Sequence, residues 1–511
     1  MKLNTWFLKP SLLISFLFIL SFFLHLLLLL KTPFATGWDG YYYLIQVKSF
    51  LLEGQMHSPD AALFYPLLIF FTRLFSDALF ALKFLSALIA AFFIPAAYYT
   101  AKGFLPASDS QRNNRFSPAI LTACFFLFSP ALFYLAAHFP KNLLGFLFLF
   151  LFVGGLARFH SDYFSGSFHL KKLLLSLLIP FLCLIAAFLS HRLSAALAFV
   201  FSGLYLLFFL AKTRRLLWLL LLIPAVFLFW VMTRYFPGLL HLSDLSRLQG
   251  LFSSTPQFAP LSFITLLGSS KIHILWLLEI ILVVLGWFVY FFLLKKTKMS
   301  SLILSLLALF PFLLLFPFFH FDLLGPAFRF LLAFFILSPF FLVPLFSLIP
   351  KWLPFSAAIL LLAAPLNVFL YSHPSLDPPY RLYQTLTAKI LSFPEGTSSQ
   401  LLVAHKGLAE FITYTSNKDA LPWKPEDRFD KTLTWRVTSG FTSTDFALYL
   451  SAEEQRFVLA LSPFYQLMRE DIYESFLSRI QEESRADLLL LASSWQNPSE
   501  VRPFFITRLR H

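Results

Sequence analysis

A chain of 511 residues that is 58% hydrophobic, 19% aromatic and only 13% charged, with a mean hydropathy of +0.75, carries more apolar surface than a soluble globule buries. Its apolar runs reach the roughly 20 residues that cross a bilayer as helix, so the composition implies an α-helical polytopic membrane protein. The formal charge of +14 does not indicate nucleic acid: residues 1–371 carry 25 Lys/Arg against 9 Asp/Glu, whereas residues 372–511 carry 15 against 17, and the excess falls in short loops between spans.

In chain order, Lys2 and Lys9 precede an apolar run from Ser11 to Leu30. It is too long for a signal-peptide core and reads as an uncleaved first span with a cytoplasmic start. The loop over residues 31–76 then holds Trp38-Asp39-Gly40 and an amphipathic stretch. A helix from Gly40 to Leu52 places Tyr42, Tyr43 and Gln46 on one face with Asp39. In the plain reading this is an interfacial helix with Asp39 as its cap and the tyrosines in an aromatic belt. In the functional reading it sets a carboxylate and several hydroxyls at the mouth of the membrane helices. Ala61 to Phe75, which contains Tyr65-Pro66, reads as a re-entrant or interfacial segment broken at Pro66.

Nine more spans follow the second, Asp77 to Ala101, with basic inner loops between them. The third runs from Pro118 to Ala137 into an outer turn, His138 to Asn142. The fifth and sixth are separated by little more than Ser190-His191-Arg192, and the seventh opens a long outer loop after Tyr235. The eighth covers His273 to Leu294; the ninth leads to an outer turn from His320 to Arg329, and the eleventh exits at Tyr371. Eleven spans put the C-terminus outside. The many phenylalanines in these runs read as lipid-facing bulk. From Ser372 the composition becomes that of a soluble domain, so the expected division is a transmembrane domain over 1–371 and an extracytoplasmic α/β domain over 372–511. That domain has no Gly-rich phosphate loop, and His405 at the end of a strand reads as structural.

The ionisable residues of the membrane part gather at the outer ends of spans. His138 and Lys141, His191 and Arg192, and His320 and Arg329 fall at three such turns, with Asp39, Asp60, Asp244 and Asp322 among the acids. Cations placed against the positive-inside trend point to a local anion, such as a phosphate at the membrane surface. The plain alternative is that short turns simply need polar residues. Arg192 is the first choice to hold the phosphate; Arg329 is second, because Asp322 can pair with it. No histidines stand at metal-ligand spacing on one helix, and Cys124 and Cys183 fall inside spans, so no metal or other cofactor is expected.

These motifs resemble those of the GT-C superfamily of membrane glycosyltransferases, which use polyprenyl- or dolichyl-phosphate sugars and include protein O-mannosyltransferases and lipid A aminoarabinose transferases. The matching stretches are Trp38-Asp39-Gly40-Tyr41-Tyr42-Tyr43 after the first span, Phe64-Tyr65-Pro66-Leu67, and Ser190-His191-Arg192-Leu193-Ser194. The resemblance implies an inverting transfer from a polyprenyl-phosphate donor to a glycan, lipid or protein acceptor on the outer face of the cell membrane. In that scheme Asp39 is the catalytic carboxylate, and Tyr42, Tyr43, Tyr65, His138, Lys141, His191, Arg192, His320 and Arg329 bind substrate. One departure is Gly40, which stands where many relatives have a second acid. The metal-dependent oligosaccharyltransferase branch needs further carboxylates that are not evident here, which favours a metal-independent mechanism. A transporter or flippase of lipid-linked glycans and a non-catalytic envelope assembly protein are the rival classes. A transporter would show internal repeats and ionisable groups at mid-membrane depth, of which Glu279 is the main example.

Overall fold

Proline and glycine cut the apolar sequence into helices. A computed structural model describes residues 10–37, 39–57, 60–104, 117–164, 170–213, 273–293, 326–348, 352–370, 402–404, 406–416, 420–422, 432–438, 443–449, 456–460, 487–492 and 505–509, with scattered positions in 231–234, 305–313 and 380–388. The helices through residue 370 are α1 (Pro10–Leu29), α2 (Gly40–Glu53), α3 (Phe64–Phe75), α4 (Ala78–Phe104), α5 (Pro118–Phe128), α6 (Pro130–His138), α7 (Pro140–Phe164), α8 (Leu170–Ser190), α9 (Arg192–Thr213), α10 (His273–Leu293), α11 (Pro326–Leu337), α12 (Pro339–Leu348) and α13 (Leu353–Leu370). Proline opens α1, α5, α6, α7, α11 and α12, where its missing N–H costs nothing and its fixed φ suits the first turn.

The contacts divide the chain into two units, one of residues 1–33 and 58–376, the other of residues 34–57 and 377–511. Among the described residues of the first unit, six helices are long and apolar enough to cross a membrane, or seven if the bent pair α5–α6 counts as one span. The expected seventh and ninth spans fall largely outside the described residues.

Three local expectations are corrected. The third span is not continuous: α5 and α6 meet at a bend of 49°, because Pro130 has no N–H to continue the ladder. The freed groups at this bend find partners. The Ser129 hydroxyl accepts from Leu132 N at 3.2 Å and donates to the buried Glu279 carboxylate, which also accepts from Ala131 N at 3.1 Å. The mid-membrane acid therefore caps a broken helix. Next, Pro66 does not interrupt its segment, since α3 starts at Phe64 and places the proline in its first turn. Finally, the turn after α6 is a single residue, Phe139, so Lys141 and Asn142 lie within the first turn of α7.

Many of the described phenylalanines are buried inside the protein rather than lipid-facing. Phe125, Phe126, Phe133, Phe146 and Phe150 are fully buried, and Phe126 packs edge-on against Phe150 with centroids 5.2 Å apart. Glycine sets how closely these helices approach. A Cβ on Gly145 of α7 would lie 2.3 Å from Ser194 Oγ and 3.0 Å from His191 Cβ of the α8–α9 junction. Gly145→Val is accordingly expected to force α7 and α9 apart and cost about 1–3 kcal/mol, read as a lower unfolding midpoint of the detergent-solubilised protein. An unchanged midpoint would mean that Ser194 can turn away freely.

The second unit contains α2, α14 (Lys406–Ser416) and seven strands: β1 (Leu402–Ala404), β2 (Ala420–Pro422), β3 (Thr432–Thr438), β4 (Ser443–Tyr449), β5 (Arg456–Ala460), β6 (Asp487–Ala492) and β7 (Phe505–Leu509). Five strands form one sheet in the order β2-β1-β5-β6-β7, parallel except for β7, while β3 and β4 pair as an antiparallel hairpin. The parallel β1 and β2 are joined through α14, a βαβ unit. Helix α2 packs on α14 through Tyr41, whose ring lies 4.8 Å from that of Phe411. Lys48 donates to the Tyr414 carbonyl at 2.8 Å, near the C-terminal end of α14.

Candidate functional site

The residues picked from sequence fall in both units. In the second unit, Asp39 is the residue before the first turn of α2, with φ −104° and ψ 10°. Its backbone carbonyl accepts from Tyr43 N at 3.1 Å, but its side chain makes no capping hydrogen bond. A capping aspartate would take an N–H of the first turn. The carboxylate, half-buried, is therefore not used as the cap that the plain sequence reading assigned to it.

The backbone around Asp39 is tightly prescribed. Gly37 has a φ of 74°, a left-handed conformation that glycine adopts without strain. A Cβ on Gly40 would come within 2.8 Å of Ala35 Cβ, so glycine is required there for the chain to fold back on itself. This accounts for the position where relatives of the resembled family carry a second acid. On α2, Tyr42 is half-buried, whereas Tyr43 and Gln46 are buried.

In the first unit, charged residues gather around His191. This residue is the single break between α8 and α9, and its Nδ1 accepts from Leu193 N at 3.1 Å. That bond fixes the neutral ring as the tautomer with its proton on Nε2, where it can donate. Burial, then the positive charges of Arg329, Lys141 and Arg192, hold the His191 pKa well below its ordinary value. The three cations belong to the first turns of three helices: Lys141 to α7, Arg192 to α9 and Arg329 to α11. Helix N-termini add partial positive charge of their own.

Lys141 is engaged by an acid that sequence reading noted without selecting. Asp60 Oδ2 lies 2.5 Å from Lys141 Nζ and accepts from Tyr65 OH at 3.0 Å, while Asp60 Oδ1 accepts from Ala62 N at 3.2 Å. Tyr65 is thus a fully buried support for Asp60, and Lys141 Nζ also lies 5.5 Å from its ring centroid. The only sequence signal for this triad was an acid five residues before the Tyr-Pro pair. Arg329 is different: its guanidinium lies 5.1 Å from the Phe139 ring, and its buried Nε has no hydrogen-bond partner among the described residues. His138 is buried at the end of α6, 4.3 Å from the Tyr134 ring, and neither of its ring nitrogens is hydrogen-bonded among the described residues. His320, Asp244 and Asp322 lie outside the described residues.

Among the described residues no three His, Cys, Asp or Glu side chains converge as metal ligands.

No family model matches the sequence, and no curated protein does. Among solved structures the chain is similar to the Archaeoglobus fulgidus oligosaccharyltransferase tethered with an acceptor peptide containing the NVT sequon via a disulfide bond. The two share 11% identity with a TM-score of 0.56, over 82% of this chain and 64% of that one. This chain therefore spans just under two thirds of its neighbour's length. At such identity the likeness concerns the fold alone.

Proposed function

We propose that the protein is a membrane glycosyltransferase that moves a sugar from a polyprenyl-phosphate donor to an acceptor hydroxyl on the outer face of the membrane. The observation that carries this reading is the gathering of Lys141, Arg192 and Arg329 around a neutral His191, which suits a phosphate held beside the bilayer. The shared fold with an oligosaccharyltransferase supports it.

In this reading the acceptor oxygen attacks the anomeric carbon as the bond from that carbon to the donor phosphate breaks. A neutral hydroxyl is a poor nucleophile, and Asp39 takes its proton as the new bond forms. The departing phosphate gains negative charge, which Arg329, Arg192 and the Nε2–H of His191 stabilise. One displacement inverts the anomeric centre. The side of the membrane, the lipid carrier and the single-displacement course are all part of this proposal.

The test is a panel of polyprenyl-phosphate sugars given to the full-length protein in nanodiscs, with solubilised cell-envelope material as acceptor source. Release of free polyprenyl phosphate together with glycosylation of the acceptor is the expected result. Movement of labelled donor between leaflets of proteoliposomes, without cleavage of any donor, would replace the enzyme by a flippase.

A further inference from the structure

A general base must be aimed as well as present, and the Asp39 backbone sits in a sparsely populated region of φ/ψ space, φ −104° and ψ 10°, at the end of a turn. Among the described residues of the second unit, the Tyr380 side chain reaches that turn from a distant part of the chain. The Tyr380 hydroxyl donates to the carbonyl oxygen of Gly37, two residues before Asp39. We propose that Tyr380 is a positioning residue for Asp39, its hydroxyl holding the turn that aims the carboxylate. The proposal rests on the reading of Asp39 as the general base.

Several features make this contact a pin. Tyr380 is 2% exposed, and its ring is locked by Tyr41 at 4.7 Å, Tyr383 at 5.9 Å and Phe411 at 6.2 Å. Tyr41 is itself on α2, so the same ring touches both the turn and the helix that follow each other through Asp39. Gly37 holds its left-handed φ and Gly40 its close approach to Ala35, which leaves the turn few alternative paths. Burial, followed by the charge of Glu410 and the neighbouring Tyr383, Tyr41 and Asp39, raises the Tyr380 pKa well above the ordinary value. The hydroxyl therefore keeps its proton, and remains a donor, at any working pH. An aromatic cluster alone would be satisfied by phenylalanine; the hydroxyl is what reaches Gly37.

The experiment uses full-length protein in nanodiscs and separates kcat from donor KM. Tyr380→Phe keeps the ring packing and removes the pin, and it is expected to lower kcat about ten- to thirtyfold, with donor KM within about twofold of wild type. Gly37→Ala strains the same turn from its other side and is expected to give the same split. The Asp39→Asn/Tyr380→Phe double variant is expected to be no slower than Asp39→Asn alone, because Tyr380 acts only through that carboxylate. Losses that multiply in the double variant, or a Tyr380→Phe enzyme with wild-type kcat, would overturn the proposal. A wild-type rate for Asp39→Asn itself would instead remove the general-base reading, and the proposal with it.

Discussion

Asp39→Asn is expected to lower kcat by about two to four orders of magnitude, while the amount of folded protein and the donor KM stay close to wild type. Asparagine preserves the size of the side chain and loses only its basicity, so a general base is silenced without disturbing its surroundings. Were Asp39 a helix cap, asparagine would serve equally well, since the two residues cap about equally. The structure sharpens this contrast, because the Asp39 side chain makes no capping bond to α2. Even Asp39→Ala should then spare the roughly 1 kcal/mol that loss of a cap typically costs. Asp39→Glu keeps the charge but moves it by a methylene, and a misplaced base is also expected to be slow. The measurement is single-turnover transfer from a polyprenyl-phosphate sugar, beside thermal unfolding of each variant. Near-normal transfer by the asparagine variant would leave the enzyme reading to rest on fold and cation cluster alone.

What could be read from the sequence followed the range of the interactions involved. Helix α2 was legible almost to the residue, since amphipathic spacing and Gly54 are local signals, and Gly54 ends it in a left-handed C-cap with φ 75°. The break between α8 and α9 at His191 was legible from a polar triplet between apolar runs. The bend at Pro130 was not, because whether a proline starts a new helix or sits inside one depends on what meets the freed groups. Pro95 and Pro180 lie within α4 and α8, whereas at Pro130 the Glu279 carboxylate, 148 residues from Ala131, takes the exposed N–H. The same reason hid Asp60. Its partner Lys141 is 81 residues away, so the sequence offered both ions and no pairing. Phenylalanine was misread as lipid-facing for a related reason: apolar runs of this density carry no period that tells an inner face from an outer one.

Arg329→Ala is expected to weaken donor use more than Lys141→Ala, raising donor KM about ten- to a hundredfold, as loss of a hydrogen bond to a charged group of roughly 1.5–3 kcal/mol would do. Its buried Nε lacks a hydrogen-bond partner among the described residues, whereas Lys141 is paired with Asp60. This places Arg329 ahead of Lys141. A role at the anion also predicts a signature in pH. His191 is held neutral in the folded protein by burial and by three cations, whereas in the unfolded chain it titrates near its ordinary value of 6.5. The unfolded state therefore binds more protons below that value, so the His191 contribution to stability is present above pH 6.5 and is lost as pH falls. Removing the Arg329 charge lets folded His191 take up a proton more readily. Acidification from pH 7.5 to 5.5 should then lower the unfolding midpoint of Arg329→Ala less than that of wild type. A phosphate bound beside His191 acts in the same direction, because its negative charge favours the imidazolium. Identical pH slopes for the two proteins, together with an unchanged donor KM, would take Arg329 out of the site and leave His191 as a break between two helices.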